Sequence, residues 1–273
     1  MELRINDVNF SYGEKKILSD ISLCIDGPGF YSILGPNGVG KSTLIYCINN
    51  LLTPQSGNVT IDGKDVKSFT PQELAKIIGY IPYSSHTSFP LSVADTVLLG
   101  RYPHSGRQKT QKDMEIAYTC MKLMDIEDLA MRSFGELSAG QHQKAVIARG
   151  LAQTTKILLL DEPTANLDIK HQMNVARTLK RLVDGMDLVV IMICHDLNIA
   201  AKFSDRIILL SEGRIYRDGK PEEVLTRDTI NKVYGVESMV QMIDGTPHII
   251  ITNDDSITDD ETIEDYIHLC SEP

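Results

Sequence analysis

The chain has 273 residues, 42% apolar and 23% charged, with 27 Lys and Arg against 37 Asp and Glu for a net charge of −10. That length allows one large domain or two modest ones, with a sizeable buried core. Residues 244–273 hold nine of the acids and no Lys or Arg, so the first 243 residues are close to neutral. The chain therefore lacks the cationic footprint of a nucleic-acid binder and the basic tail that seeks anionic lipid. No run approaches the roughly 18 apolar residues of a bilayer span, and the first residues lack the apolar segment of a secretory signal. Five scattered cysteines (Cys24, Cys47, Cys120, Cys194, Cys270) form no CxxC pair, which argues against a disulfide framework or a zinc cage. The expectation is a soluble, cytoplasmic protein that meets any membrane through a partner.

In chain order, residues 2–10 and 17–25 alternate apolar and polar side chains around Gly13-Glu14-Lys15, which predicts an antiparallel hairpin or small sheet. Residues 30–34 form a short apolar strand that runs into a glycine loop. Beyond the loop, Leu44, Ile45, Ile48 and Leu51 recur at helical spacing, so a helix starts near Lys41. Further strands are predicted at 77–81, 157–160, 188–193 and 207–210, with helices over 111–124, 140–152 and 170–183. Strands alternating with helices indicate a mainly parallel sheet covered on both faces. Residues 92–152 carry helical patterns and no strand, and read as a helical subdomain, about 88–152, inserted into the α/β core. In the acidic tail, Thr258 and Glu261 form a capping-box pattern ahead of Ile263, Tyr266 and Ile267, consistent with a short helix on a solvated end.

The chemistry concentrates in a few places. Gly35-Pro36-Asn37-Gly38-Val39-Gly40-Lys41-Ser42-Thr43 fits GxxxxGK[ST], the phosphate-binding P-loop. Glycines are needed because backbone N–H groups must wrap closely around phosphate oxygens, and the following helix adds its own free amides. Lys41 can reach the β- and γ-phosphates, and the Ser42 hydroxyl can ligate Mg²⁺. The apolar run Leu158-Leu159-Leu160 ends in Asp161 and Glu162, at a strand end where open α/β sheets bind ligands. Asp161 is the candidate Mg²⁺ residue, and Glu162 the candidate to orient or deprotonate an attacking water. Ser138 and Gln141 make an S-x-x-Q capping box, and a capped helix start of this kind is also an anion site.

These motifs together resemble the ATP-binding cassette (ABC) ATPases over roughly residues 2–235. Leu137-Ser138-Ala139-Gly140-Gln141 is similar to the family's signature motif, with Ala139 where glycine is commonest. Asp161-Glu162-Pro163-Thr164-Ala165-Asn166-Leu167-Asp168 resembles its Walker B run and D-loop, and Cys194-His195-Asp196 its switch-histidine motif. Tyr12 stands where the family has an aromatic that stacks on adenine. The resemblance implies a P-loop NTPase (RecA-like) core with a mainly parallel sheet, an N-terminal antiparallel β subdomain and the inserted helical subdomain. It implies an ABC ATPase domain over 1–240 and an acidic C-terminal extension over 241–273. It further implies that ATP and Mg²⁺ bind, with Glu162, His195 and Lys41 as catalytic residues. Two subunits would pair head to tail, so that Ser138, Ala139, Gly140 and Gln141 act in trans and Asn166 and Asp168 couple the two sites. At the Q-loop position the family has glutamine and this chain has Tyr83, a phenol in place of a flexible amide.

Phe89-Pro90-Leu91-Ser92-Val93 and Leu98-Leu99-Gly100-Arg101-Tyr102-Pro103-His104 occupy the family's partner-facing segment and resemble the ATPases of iron–siderophore, haem and cobalamin importers. Val233-Tyr234-Gly235-Val236 and Asp244-Gly245-Thr246-Pro247-His248 point the same way. That resemblance implies integral-membrane permease subunits as partners, a substrate-binding protein met indirectly, and a place on the inner face of the cell membrane. The remaining histidines (His86, His104, His142, His171, His248, His268) form no ligand cluster in the sequence, so Mg²⁺ is the one metal implied. The competing readings are a soluble ABC ATPase of the iron–sulfur cluster assembly type and a hydrolysis-impaired regulatory module, the latter suggested by Tyr83.

Overall fold

The computed structural model describes residues 1–83, 91–105, 108–164 and 167–252. The predicted opening hairpin forms from β1 (Glu2–Tyr12) and β2 (Lys15–Asp26). After it come β3 (Gly29–Leu34), α1 (Lys41–Ile48), β4 (Ser56–Ile61), β5 (Lys64–Asp65), α2 (Pro71–Ala75) and β6 (Ile78–Ile81). The helical subdomain holds α3 (Val93–Leu98), α4 (Tyr102–Ser105), α5 (Gln111–Leu123) and α6 (Ala139–Ala152). The chain returns through β7 (Ile157–Asp161), α7 (Ile169–Gly185), β8 (Val189–Ile193), α8 (Leu197–Phe203), β9 (Arg206–Ser211) and β10 (Arg214–Gly219). It continues with α9 (Pro221–Val224), α10 (Arg227–Tyr234), β11 (Ser238–Ile243) and β12 (Thr246–Ile251).

The central sheet has the order β10-β9-β3-β8-β7-β6, parallel except for β10. Its inner strands β3, β8 and β7 are buried along their whole length because both faces are covered, and alternate side chains feed two separate cores. Leu158, Leu160, Val190 and Met192 face the core shared with the helical subdomain and α7. Leu159, Ile191 and Ile193 face the opposite core, shared with α1 and the antiparallel sheet β2-β1-β4-β5. A single sheet therefore carries the antiparallel subdomain on one face and the helical subdomain on the other.

Strands β4, β5, β10, β11 and β12 go beyond the strands read from the sequence. Their signal lies in three turns, Asp62-Gly63, Glu212-Gly213 and Asp244-Gly245, where both residues have positive φ. This is the mirror-image turn that matches strand twist, and Asp-Gly between extended runs is its sequence mark. Strand β11 runs across residue 240, where the sequence suggested that an acidic extension begins. The hairpin β11–β12 instead packs against the core, with Ile249 buried. The capping-box pattern at Thr258 and Glu261 lies outside the described residues, as do His86, Phe89, Pro90, Asn166, His268 and Cys270.

Arg101 differs from its expected partner-facing role. It is buried, with Nε donating to Asp113 Oδ1 at 2.8 Å and Nη1 donating to the Ala152 carbonyl at 2.8 Å and Thr154 Oγ1 at 2.7 Å. The guanidinium holds the Asp113 carboxyl far below the usual carboxylate range, and it ties α5 to the end of α6. Leu99 and Tyr102 on either side remain exposed.

Phe134 is fully buried in the helical subdomain, its ring 4.3 Å from that of His142 and its N–H donating to the Leu91 carbonyl at 2.8 Å. Phe134→Ala is expected to cost about 3–5 kcal/mol of stability through the cavity left behind, read as a lower midpoint in chemical denaturation of the full chain.

Candidate active site

The parallel register decides which loops meet. Asp161 on β7 lies beside Ile193 on β8, and Ile193 beside Ile33 on β3. Ile81 on β6 lies beside Leu160. The residues just past these strand ends are the glycine loop after β3, His195 after β8, Glu162 after β7 and Tyr83 after β6. Four segments distant in sequence thus meet along one sheet edge.

In the loop, Gly35, Gly38 and Gly40 all have positive φ. Gly35 admits no side chain, because a Cβ there would lie 2.3 Å from the Leu210 carbonyl oxygen. Gly40 caps α1 without a side-chain hydrogen bond, so the first amides of the helix are left for an anion. Lys41 is buried, and its Nζ donates to the carbonyls of Gly35 at 2.7 Å and Pro36 at 2.8 Å, with no carboxylate of the described residues in direct contact. Burial pulls its ammonium below the ordinary lysine value, while the charges of Glu162 and Asp161 act the other way. A cation held this way is short of negative charge, which a phosphate chain supplies.

Asp161 is buried and accepts from Ser42 Oγ at 3.0 Å, which joins the P-loop to the end of β7. Burial pushes its carboxyl above the ordinary range, and the Ser42 hydrogen bond opposes that rise. A hydroxyl and a buried carboxylate lacking a cation of its own fit a hard divalent ion such as Mg²⁺. Glu162 leaves β7 with φ of 50°, a conformation uncommon outside glycine and found at functional sites. Its Oε1 lies 2.5 Å from Nε2 of His195. Lys15, Asn37, Gly38, Lys41, Ser42 and Glu162 line one cleft of about 300 Å³. Tyr12, half exposed, pairs across the first hairpin with Lys15 at the mouth of this cleft.

Other predicted residues sit apart from it. Ser138 and Gln141 form their capping box, with the Ser138 N–H donating to Gln141 Oε1 at 3.1 Å and the Gln141 N–H to Ser138 Oγ at 3.4 Å. None of residues 138–141 lines the cleft. Ser138 and Ala139 are exposed, and Gly140 and Gln141 partly so. Asp168 caps α7, accepting from the His171 N–H at 2.8 Å, and it meets His171 Nδ1 at 2.7 Å. Tyr83 is half exposed at the end of β6. Two residues that sequence reading does not assign to the nucleotide site also border the P-loop. Ile17 lines the cleft from β2, and Tyr234 of α10 lies at Gly35. Burial pushes the Tyr234 phenol up to about 12, with the Gly35 backbone acting in the opposite direction. Ile17 carries no motif, Tyr234 belongs in sequence only to the importer-like stretch 233–236, and both reach the P-loop by packing.

A family model described as ABC transporter matches residues 18–165. An uncharacterized ABC transporter ATP-binding protein of Methanocaldococcus jannaschii is 41% identical over 250 residues, covering 92% of this chain and 98% of the relative. The petrobactin import ATP-binding protein YclP of Bacillus subtilis is 34% identical over 242 residues, covering 89% and 96%. Among solved structures, a dimeric bacterial ABC transporter cassette superposes with a TM-score of 0.72 at 31% identity, covering 80% of this chain and 98% of that one.

The loop geometry yields a graded test. Gly35→Ala is expected to weaken binding of an ATP analogue by at least about tenfold, some 1.4 kcal/mol, and to lower the thermal midpoint. Gly38→Ala, where a Cβ meets open space, carries only the cost of its φ of 80° and is expected to do less. Calorimetric titration of both variants checks the order.

Proposed function

The chain belongs to the ABC transporter family of ATP-binding cassettes and is an ABC-type ATPase, and from that premise we propose that it powers import of a metal chelate, of the iron–siderophore, haem or cobalamin class, through a membrane permease. The observation that carries the ATPase part is the meeting of Lys41, the Ser42–Asp161 pair and the Glu162–His195 pair on one sheet edge. The cargo class rests on relatives such as the petrobactin import protein and on the segment around Leu99 and Tyr102.

In this reading, the free amides at the start of α1 and the Lys41 ammonium hold the β- and γ-phosphates. Ser42 and Asp161 hold Mg²⁺, which when bound neutralises phosphate charge. Tyr12 stacks on the adenine. Glu162 accepts a proton from the attacking water as its oxygen bonds to the γ-phosphorus and the bond to the β–γ bridging oxygen breaks. His195, oriented by Glu162, contacts the γ-phosphate. The capped start of α6 is exposed and does not line its own cleft, which supports a role toward a second subunit. There Ser138, Ala139, Gly140 and Gln141 complete the partner's site, and Asn166 and Asp168 couple the two. ATP closes this head-to-tail dimer and hydrolysis releases it, a ligand shifting a two-state equilibrium by differential affinity. No helix among the described residues is long and apolar enough to cross a membrane. The permease supplies the span and holds this subunit on the inner face of the cell membrane, and a substrate-binding protein meets the permease rather than this chain.

Glu162→Gln is expected to lower kcat for Mg-ATP hydrolysis by about 10²–10⁴-fold and to accumulate an ATP-dependent dimer in light scattering. A variant that stays monomeric at saturating ATP would count against the head-to-tail sandwich. For Tyr83, comparable turnover by the native chain and Tyr83→Gln is expected for a working importer subunit. Turnover by the glutamine variant alone would mark a regulatory or partner-activated subunit.

A further inference from the structure

The turn that presents His195 is tied on both sides. The Cys194 N–H donates to the Ile33 carbonyl at 3.2 Å, and Asp196 Oδ1 accepts from the N–H groups of Asn198 at 2.8 Å and Ile199 at 2.9 Å to start α8. Helix α8 has seven residues, too few to be stable without tertiary contacts. One of those contacts comes from far along the chain. The Asn198 amide donates through Nδ2 to the Ile249 carbonyl at 3.1 Å, and Oδ1 accepts from the Ile249 N–H at 2.8 Å. This two-bond pattern is what a neighbouring strand would offer, and it closes the outer edge of β12 with a helix side chain. Ile249 is buried, and it pairs with Val240 on β11. The same C-terminal module reaches the other wall of the site, where Lys232 and Val233 of α10 border the P-loop beside Pro36 and Val39.

We propose that Asn198 is a positioning residue for hydrolysis: by pinning α8 to β12 it sets His195 against Glu162, which makes the C-terminal hairpin a working part of the ATPase. The inference rests on the reading of Glu162 and His195 given above. Neither Asn198 nor the hairpin touches the phosphates. Their effect reaches the reaction through three residues of backbone, from Asn198 through the Asp196 cap to His195. Loss of the amide leaves Ile249 with a buried N–H and C=O unpaired, and the hairpin then no longer defines where α8 sits. A misplacement of about 1 Å near reacting groups costs up to about 100-fold in rate.

The test uses the full chain and three readouts: kcat, affinity for an ATP analogue with a β–γ imido bridge, and thermal midpoint. Asn198→Ala is expected to lower kcat about 10–100-fold while analogue affinity stays within about twofold of native, because the P-loop is untouched. In a His195→Ala background the same substitution is expected to have no further effect on kcat, since both act through one group. Asn198→Asp, isosteric but without the donor to the Ile249 carbonyl, is expected to behave like Asn198→Ala and serves if the alanine variant does not fold. Native kcat in either variant overturns the inference. So do losses that multiply with His195→Ala, or a fall in kcat, affinity and midpoint together. Full activity in His195→Ala alone overturns the reading of His195 itself, which separates that failure from this one.

Discussion

In a parallel sheet buried on both faces, neighbouring strands place charged side chains at or past their ends, and all their C-terminal ends lie on one edge. The register of β3, β8 and β7 puts the P-loop, His195 and Glu162 on that edge within reach of one another. A slip of one residue would also turn every side chain of a strand from one core to the other. Because the two cores are packed with different apolar sets, the arrangement resists such a slip, and the catalytic geometry inherits the rigidity of the core. The antiparallel sheet on one face and the helical subdomain on the other are mounted on this frame.

Charge burial distinguishes functional groups from structural ones in this fold. Arg101 and Asp113 are both buried, but each satisfies the other, and additional hydrogen bonds from Arg101 to Ala152 and Thr154 complete the arrangement. The pair serves to hold α5 and α6 together. Lys41 and Asp161 are buried with neutral partners, carbonyls in one case and the hydroxyls of Ser42 and Tyr46 in the other. Their shifted titration, downward for the lysine and upward for the aspartate, has burial as its first cause in both cases. Such groups are stabilised by ligands of opposite charge, and a phosphate chain with a divalent cation supplies both signs.

The C-terminal module extends the same reasoning to elements without a motif. The short helix that follows the His195 turn depends on contacts outside itself, and the hairpin supplies one through the Asn198 amide. Tyr234 and Lys232 bring α10 to the P-loop, so the last described elements buttress both walls of the nucleotide cleft. The region expected to be an acidic extension from residue 241 begins, in three dimensions, as a hairpin packed on the core through Ile249.

What the amino-acid sequence determined by itself was local: the P-loop glycines, the strand ending in Asp161 and Glu162, the Ser138–Gln141 capping box, and the strand–helix alternation that specifies a parallel sheet. Each of these is set by chemistry within a few residues, by φ, by capping hydrogen bonds or by hydrophobic period. The Asp244-Gly245 turn was equally local, and its dipeptide marks the last hairpin. Arg101 was different, because a charged residue between exposed Leu99 and Tyr102 gives no local sign of the buried carboxylate that turns it inward. Only the tertiary structure decided that pairing, the approach of His195 to Glu162, and the bond between Asn198 and Ile249. The physical reason is that these partners are brought together by strand register and layer packing, which are properties of the whole sheet rather than of any stretch of chain.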